Sequence, residues 1–208
     1  MIASEIIELA QNTELKQLGI KNSPEVVLNY INLGILEIHK KFSLIQQEAI
    51  ITVENGTTIY TLNALDSNVS IDLSNVEFLV VDAVYNEDGD KLDINDEEKE
   101  ESVTTPSFNV VEIPASDIFD NKQLSVIYRA TPKFLTSVDN VVNLPIQFLE
   151  PLLKYIEYKA KSSLSATPAT ETTAYYNKFL NACNEVELKS LITSDSLNCT
   201  KFNQRGFV

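Results

Sequence analysis

Tryptophan is absent from this 208-residue chain, methionine and histidine occur once each, cysteine twice and glycine five times. Each scarcity removes a class of function. Five glycines leave little material for a phosphate-cradling loop, and no GxxxxGK[ST], no GxGxxG after a strand, no HExxH, no CxxC and no GxSxG occurs. The two cysteines are Cys183, inside a helical pattern, and Cys199, in a polar tail, so no disulfide framework is inferred and synthesis in a reducing cytosol is expected. No apolar run approaches the ~18 residues of a membrane span. The opening MIASEIIELAQ lacks a basic n-region and carries Glu5 and Glu8, so a soluble protein starting with an amphipathic helix is expected. Basic residues are also scarce: 16 stand against 30 acidic ones, for a net charge of −14. Unaided binding to a phosphate backbone is therefore electrostatically unfavourable.

What is present is apolar periodicity of two kinds, within a composition that is 44% apolar and can build a sizeable core. Ile2, Ile6, Leu9, Leu15 and Leu18 follow helical spacing up to Gly19. A better specified helix follows, with Ser23 as cap and Pro24 in its first turn, and with Val27, Ile31, Gly34 and Ile38 on one stripe. Leu28, Ile35 and Phe42 widen that face, which implies protein on more than one side. After Phe42 the period changes from 3.6 to 2. AIITVENGTTIYTL reads as a hairpin whose Asn55-Gly56 supplies the two positive-φ positions of a type I′ turn. A second hairpin is expected at Asp88-Gly89, and strands resume at Phe108–Ile113 and Gln123–Ala130.

Helices return in LPIQFLEPLLKYIEYKA, where Pro145 starts a short turn and Pro151 occupies the first turn of a helix from about Glu150 to Ser163. Leu149, Leu153, Ile156 and Ala160 form its apolar stripe. A long helix from about Thr170 to Leu191 follows, with Tyr175, Phe179, Cys183 and Val186 on one face. Beyond Thr193 periodicity is lost, and the chain carries an exposed-looking aromatic, Phe207. The expected fold is α+β. A helical body of two N-terminal and two C-terminal helices (1–45 and 144–192) carries an inserted antiparallel β unit (46–143) and an extended tail (193–208).

No constellation for catalysis, cofactor binding or metal binding is assigned. The lone His39, beside Lys40 and Lys41, reads as solvated or interfacial. The acidic run from Asn86 to Glu101 misses the spacing of a calcium loop and reads as a solvated hairpin extension. Tyr155, Tyr158, Tyr175 and Tyr176 read as core or subunit-interface packing, because a nucleic-acid platform would normally come with positive charge.

The order of elements, together with SPEVVLNYINLGILEIHKKF, FLVVDAVYNEDGDKL, LSVIYRATPKFL and VVNLPIQFLEPLLKYIEYKAKSSL, resembles the head-to-tail connector or adaptor proteins of tailed bacteriophages. That family includes the tail tubular ring proteins of short-tailed phages. The resemblance implies a non-enzymatic virion protein made in the host cytoplasm. It implies a homo-oligomeric ring, usually of twelve subunits, that docks under the portal, contacts other neck or tail proteins and lets DNA pass through its lumen, with no membrane and no cofactor. A carboxylate-lined lumen would let the duplex slide without binding it.

The residues expected to build the assembly faces are Val27, Ile31, Ile38, Leu149, Leu153, Ile156, Tyr175, Phe179 and Phe207. The chain departs from the family in the acidity of Asn86–Glu101 and in its tail after Thr193. Two other readings stay open. One is a binding module of a phage tail or cell-surface attachment protein, using Tyr60, Phe78, Tyr85 or Phe108 on the β unit. The other is a hydrolase with two converging carboxylates.

Overall fold

A computed structural model describes residues 1–17, 23–99, 102–114, 122–164 and 169–189. The fold is α+β and divides into two compact units: the described residues of Met1–Ser43 with those of Phe134–Val208, and Leu44–Lys133. The first unit holds α1 (Ala3–Asn12), α2 (Glu14–Gln17), α3 (Pro24–Lys41), α4 (Leu149–Ser162) and α5 (Ala169–Leu188).

The first expected helix is two helices. The Thr13 amide and hydroxyl both donate to the Leu9 carbonyl, at 3.0 and 2.7 Å, which closes the last turn of α1 before α2 begins. At its other end, the orphan amides of Ala3 and Ser4 donate to the carbonyls of Asn140 and Val138, so the segment after Phe134 caps α1. In α3 the Ser23 hydroxyl accepts from the Val26 amide and Pro24 stands in the first turn, as the sequence implied. The expected stop at Gly19 lies outside the described residues.

The two prolines mark two helical starts. Pro145 precedes a 3-10 turn at Ile146–Phe148, and Pro151 sits in the first turn of α4, where its missing N–H is one that no helical carbonyl would have met. α5 returns antiparallel to α4, as successive pairs show: Lys161 with Glu171 at 3.4 Å, Glu157 with Lys178 at 3.2 Å, and the rings of Tyr155 and Phe179 at 5.1 Å. The last turns of α5 therefore run beside Leu149 and the 3-10 turn. α3 and α4 close tightly at Gly34, where a Cβ would stand 2.6 Å from Leu152 Cδ1 and 3.1 Å from the Tyr155 ring.

The second unit contains two antiparallel sheets. One has the order β3-β1-β8-β4-β5, formed by Val69–Ser70, Ile45–Thr52, Gln123–Pro132, Val76–Tyr85 and Lys91–Leu92. The other has the order β2-β7-β6, formed by Ile59–Thr61, Val110–Glu112 and Thr104–Ser107. Period-2 alternation sends Leu124, Val126, Tyr128 and Ala130 of the central strand β8 into a core shared with Tyr60 and Val111 of the smaller sheet.

The hairpin expected at Asn55-Gly56 is a turn but not a hairpin. Thr57 N–H donates to the Glu54 carbonyl, and Gly56 has φ +82° while Asn55 does not reach positive φ. A type I′ turn needs positive φ at both central positions to match the strand twist. With only one, the strands splay: β1 pairs with β8 and β3, and β2 pairs with β7 in the other sheet. The Tyr60 hydroxyl holds this corner, accepting from Glu54 N–H at 2.9 Å and donating to the Thr57 carbonyl at 3.0 Å. At Asp88-Gly89 the expected hairpin does form, pairing Tyr85 with Lys91 and Val84 with Leu92 across a loop in which Gly89 has φ +83°.

Candidate assembly surfaces

A helix whose apolar residues fall at i, i+4 and i+7 must bury that stripe against something. Here most of it is buried within the helical unit. Val27, Ile31, Ile38 and Ile156 are fully buried, and Phe179 nearly so. These five residues, expected on assembly faces, lie in the core that joins α3, α4 and α5. Leu149, Leu153 and Tyr175 are half-buried, while Phe207 lies outside the described residues.

Around this core the aromatic rings pack in tilted and edge-on pairs. Tyr155 contacts Tyr158 at 5.6 Å, Tyr158 contacts Tyr176 at 5.1 Å, and Tyr176 contacts Phe179 at 5.7 Å. Lysines cover the outer ring faces: Lys178 Nζ lies 4.2 Å from the Tyr175 centroid, and Lys159 Nζ lies 5.2 Å from that of Tyr158. The cluster is thus packing with a cationic cover. Burial foremost raises the phenol pKa of both Tyr155 and Tyr176, which keeps them neutral donors.

Three polar groups lie where apolar residues were expected or where solvent was. His39 is fully buried, which corrects its reading as solvated or interfacial. Its Nδ1–H donates to the Ile35 carbonyl at 2.8 Å, and desolvation lowers its pKa despite that bond. Asn32, 7% exposed, clamps the backbone of Leu135, accepting from its N–H at 2.8 Å and donating to its C=O at 3.0 Å.

Glu157 is buried between Lys178 at 3.2 Å and Lys154 at 3.9 Å, and Lys154 also reaches Glu14 at 3.0 Å. Burial works against the Lys154 charge, but the Glu14 hydrogen bond and the two carboxylates outweigh it and raise the pKa. The network ties α2, α4 and α5 and leaves no uncompensated charge.

Exposed apolar side chains of this unit include Val26 and Leu33 on α3 and Leu188 at the end of α5, and a further group lies in the irregular segment that caps α1. Val141 is 67% exposed, Ile146 68% and Met1 45%, although Ile2 and Val141 are bridged through their backbones. Met1 and Ile146 line a pocket of about 110 Å³ together with Ile6, Val142, Leu144, Pro145, Leu149 and Leu152. Sequence reasoning missed this patch, because its residues follow neither helical nor strand period.

On the β unit, one face of the larger sheet carries a polar network. Arg129 pairs with Asp82 at 3.1 Å, Gln46 donates to the same carboxylate at 3.0 Å, and Ser125 donates to Glu48. Of the aromatics considered for ligand stacking, Tyr60 is fully buried, Phe78 and Tyr85 are half-buried, and Phe108 is 62% exposed on the turn between β6 and β7. Lys99 neutralises part of the acidic run, lying 2.6 Å from Asp93 and 3.9 Å from Asp96. Among the described residues no group of three or more His, Cys, Asp or Glu side chains is placed to hold a metal, and no helix is long and apolar enough to cross a membrane.

Compared with known families, residues 1–198 match the model described as SU10 adaptor protein. No curated protein matches the chain.

Proposed function

Because this chain belongs to the SU10 adaptor protein family, a phage adaptor family of structural virion proteins, we propose that it forms the connector ring between the portal of the phage head and the tail. Synthesised in the host cytoplasm, it assembles into a ring of about twelve copies, binds the portal on one side and other neck or tail proteins on the other, and passes DNA through its lumen. The two compact units act as the domains of the subunit, a helical body and an inserted β domain.

The observation that best supports this reading, beside the family match over 1–198, is the distribution of apolar surface. The helical core closes on itself, yet Ile146 and Met1 remain exposed at the rim of an open apolar pocket and Val141 is exposed beside its lining residue Val142, a pattern that favours a protein contact. Leu149, which lines that pocket, Leu153 and Tyr175 are the expected face residues still accessible to neighbours. A net charge of −14 suits a conduit that phosphate must not wet.

Negative-stain imaging of the purified protein, alone and with portal, tests the proposal. Rings with the portal axis at their centre are expected. A protein that stays monomeric in both conditions overturns it. A second reading, a ligand-binding β unit, has Phe108 as its structural handle. Glycan-array binding that disappears in Phe108→Ala would establish that reading in place of the first.

A further inference from the structure

Of the five glycines, Gly56 follows an asparagine and Gly89 follows an aspartate. Both pairs carry the atoms of one spontaneous reaction. The glycine nitrogen can attack the side-chain carbonyl carbon of the residue before it, and glycine has no Cβ to stand in the way. The two sites are alike in backbone and surroundings: Gly56 has φ +82° and Gly89 φ +83°, both pairs are exposed, and a Cβ added at either glycine would meet nothing within 4 Å.

They differ at the nucleophile. The Gly89 N–H donates to the Asn86 carbonyl at 3.1 Å, and the same loop is tied by Asp90 N–H to Asn86 Oδ1 at 2.8 Å and by Asn86 N–H to the Asp90 carbonyl at 3.0 Å. That nitrogen faces an acceptor and its proton is held. Among the described residues, neither the Gly56 N–H nor the Asn55 carboxamide has a hydrogen-bond partner. The bonds of this corner, from Thr57 N–H to the Glu54 carbonyl and from the Tyr60 hydroxyl to both residues, bracket the reacting pair and leave its two reacting groups free. A carboxamide is also the better electrophile, because the charge of a carboxylate repels the incoming nitrogen.

We propose that Asn55 is a site of spontaneous deamidation in the folded protein. The Gly56 nitrogen gives up its proton and bonds to Asn55 Cγ, the Cγ–Nδ2 bond breaks, and Nδ2 leaves as ammonia. Water then opens the cyclic imide. Attack at Cγ gives aspartate, and attack at the main-chain carbonyl gives isoaspartate, in which the backbone runs through the former side chain. No electron is transferred, and water is the co-reactant. Isoaspartate inserts a methylene into the main chain at the corner where β1 leaves the larger sheet and β2 enters the smaller one, and it places a new carboxylate beside Glu54.

The test compares the full chain with its Asp88→Asn variant, each incubated at pH 8 either folded or in urea. Peptide mass spectrometry with electron-based fragmentation distinguishes isoaspartate from aspartate. Asp88→Asn gives position 88 the same dipeptide as position 55 but keeps the Gly89 hydrogen bond, and the Asp88 side chain it replaces is exposed and bonds nothing among the described residues. In the folded protein, position 55 should deamidate at least about fivefold faster than position 88, the factor for first breaking one backbone hydrogen bond. In urea the two rates should converge. Equal folded rates at the two positions, a ratio that persists in urea, or a folded rate at position 55 more than about fivefold below its rate in urea would each overturn the proposal.

Discussion

Asn32→Ala removes a side chain that acts as a short piece of β-ladder. Its amide meets both backbone groups of Leu135, at 2.8 and 3.0 Å, and it is only 7% exposed. Each neutral hydrogen bond contributes about 1 kcal/mol net, and a backbone group left buried without a partner costs about 1–3 kcal/mol. Leu135 is half-buried, so water can reach part of what is vacated. The expected loss is about 2–3 kcal/mol, or a fall of roughly 5–10 °C in melting temperature for a chain of this size.

Asn32→Asp sharpens the test, because the carboxylate keeps the acceptor for the Leu135 N–H but turns a lone pair towards the Leu135 carbonyl. Burial and that carbonyl both disfavour the charged form, so the new acid's pKa is raised in the folded state. A raised acid pKa means the folded state holds its proton to higher pH than the unfolded one does, and stability grows as pH falls. Urea unfolding should show Asn32→Asp as unstable as Asn32→Ala at pH 7, with most of its loss relative to the unsubstituted protein recovered near pH 4, while the loss in Asn32→Ala, measured against the same reference at each pH, stays constant. A loss below about 0.5 kcal/mol for Asn32→Ala, the size of an ordinary surface substitution, would refute the clamp.

Ile156→Asp places an unpaired carboxylate at a fully buried position and should prevent folding, seen as loss of soluble protein and near-ultraviolet dichroism. Pro151→Ala, in the first turn of α4, should change unfolding free energy by less than about 1 kcal/mol in urea. Gly34→Ala should lose about 1 kcal/mol, since overpacking against Leu152 and Tyr155 costs about 1–3 kcal/mol and the gain in helix propensity returns about 1.

His39 has its folded pKa lowered by burial, so the unfolded chain binds a proton that the native state refuses. Stability should fall as pH drops through the unfolded value of 6.5, and His39→Leu should flatten that slope in urea melts between pH 7.5 and 5.5. Burial pushes the Cys183 thiol up to about 11. In a Cys199→Ser background, iodoacetamide at pH 8 should therefore leave it unmodified until denaturant is added.

Local signals with a single physical cause were legible before any coordinates. Ser23-Pro24 starts α3 because a hydroxyl acceptor and a fixed φ suit only a helix start. Asp88-Gly89 turns β4 into β5, and the two prolines around Ile146 separate two helical starts. The Asn55-Gly56 reading failed because the dipeptide fits several turn types, and the choice was made by distant partners. β1 finds β8 across seventy residues of chain, and β2 finds β7.

His39 and Asn32 were more legible than the sequence reading allowed. Both fall on the stripe of Leu28, Ile35 and Phe42, seven residues apart, and a polar residue on an apolar stripe signals a buried hydrogen bond. The neighbouring Lys40 and Lys41 drew the eye to solvent, but they lie on another face of the same turn.

The assembly surface resisted for a deeper reason. Periodicity tells which residues leave water, and a helix facing its own subunit shows the same period as one facing a neighbour. Val27, Ile31, Ile38, Ile156 and Phe179 satisfy that period inside the subunit. Some exposed apolar residues lie where there is no period to satisfy, as Val141 and Ile146 do in the segment between β8 and α4. Substituting the two classes separates them experimentally. Aspartate at Ile146 should spare the fold and disturb only contacts made through the pocket, whereas aspartate at Ile156 should destroy the fold before any question of assembly arises. Equal loss of folding in both variants would show that the pocket rim belongs to the core, and the partition argued from burial would fall.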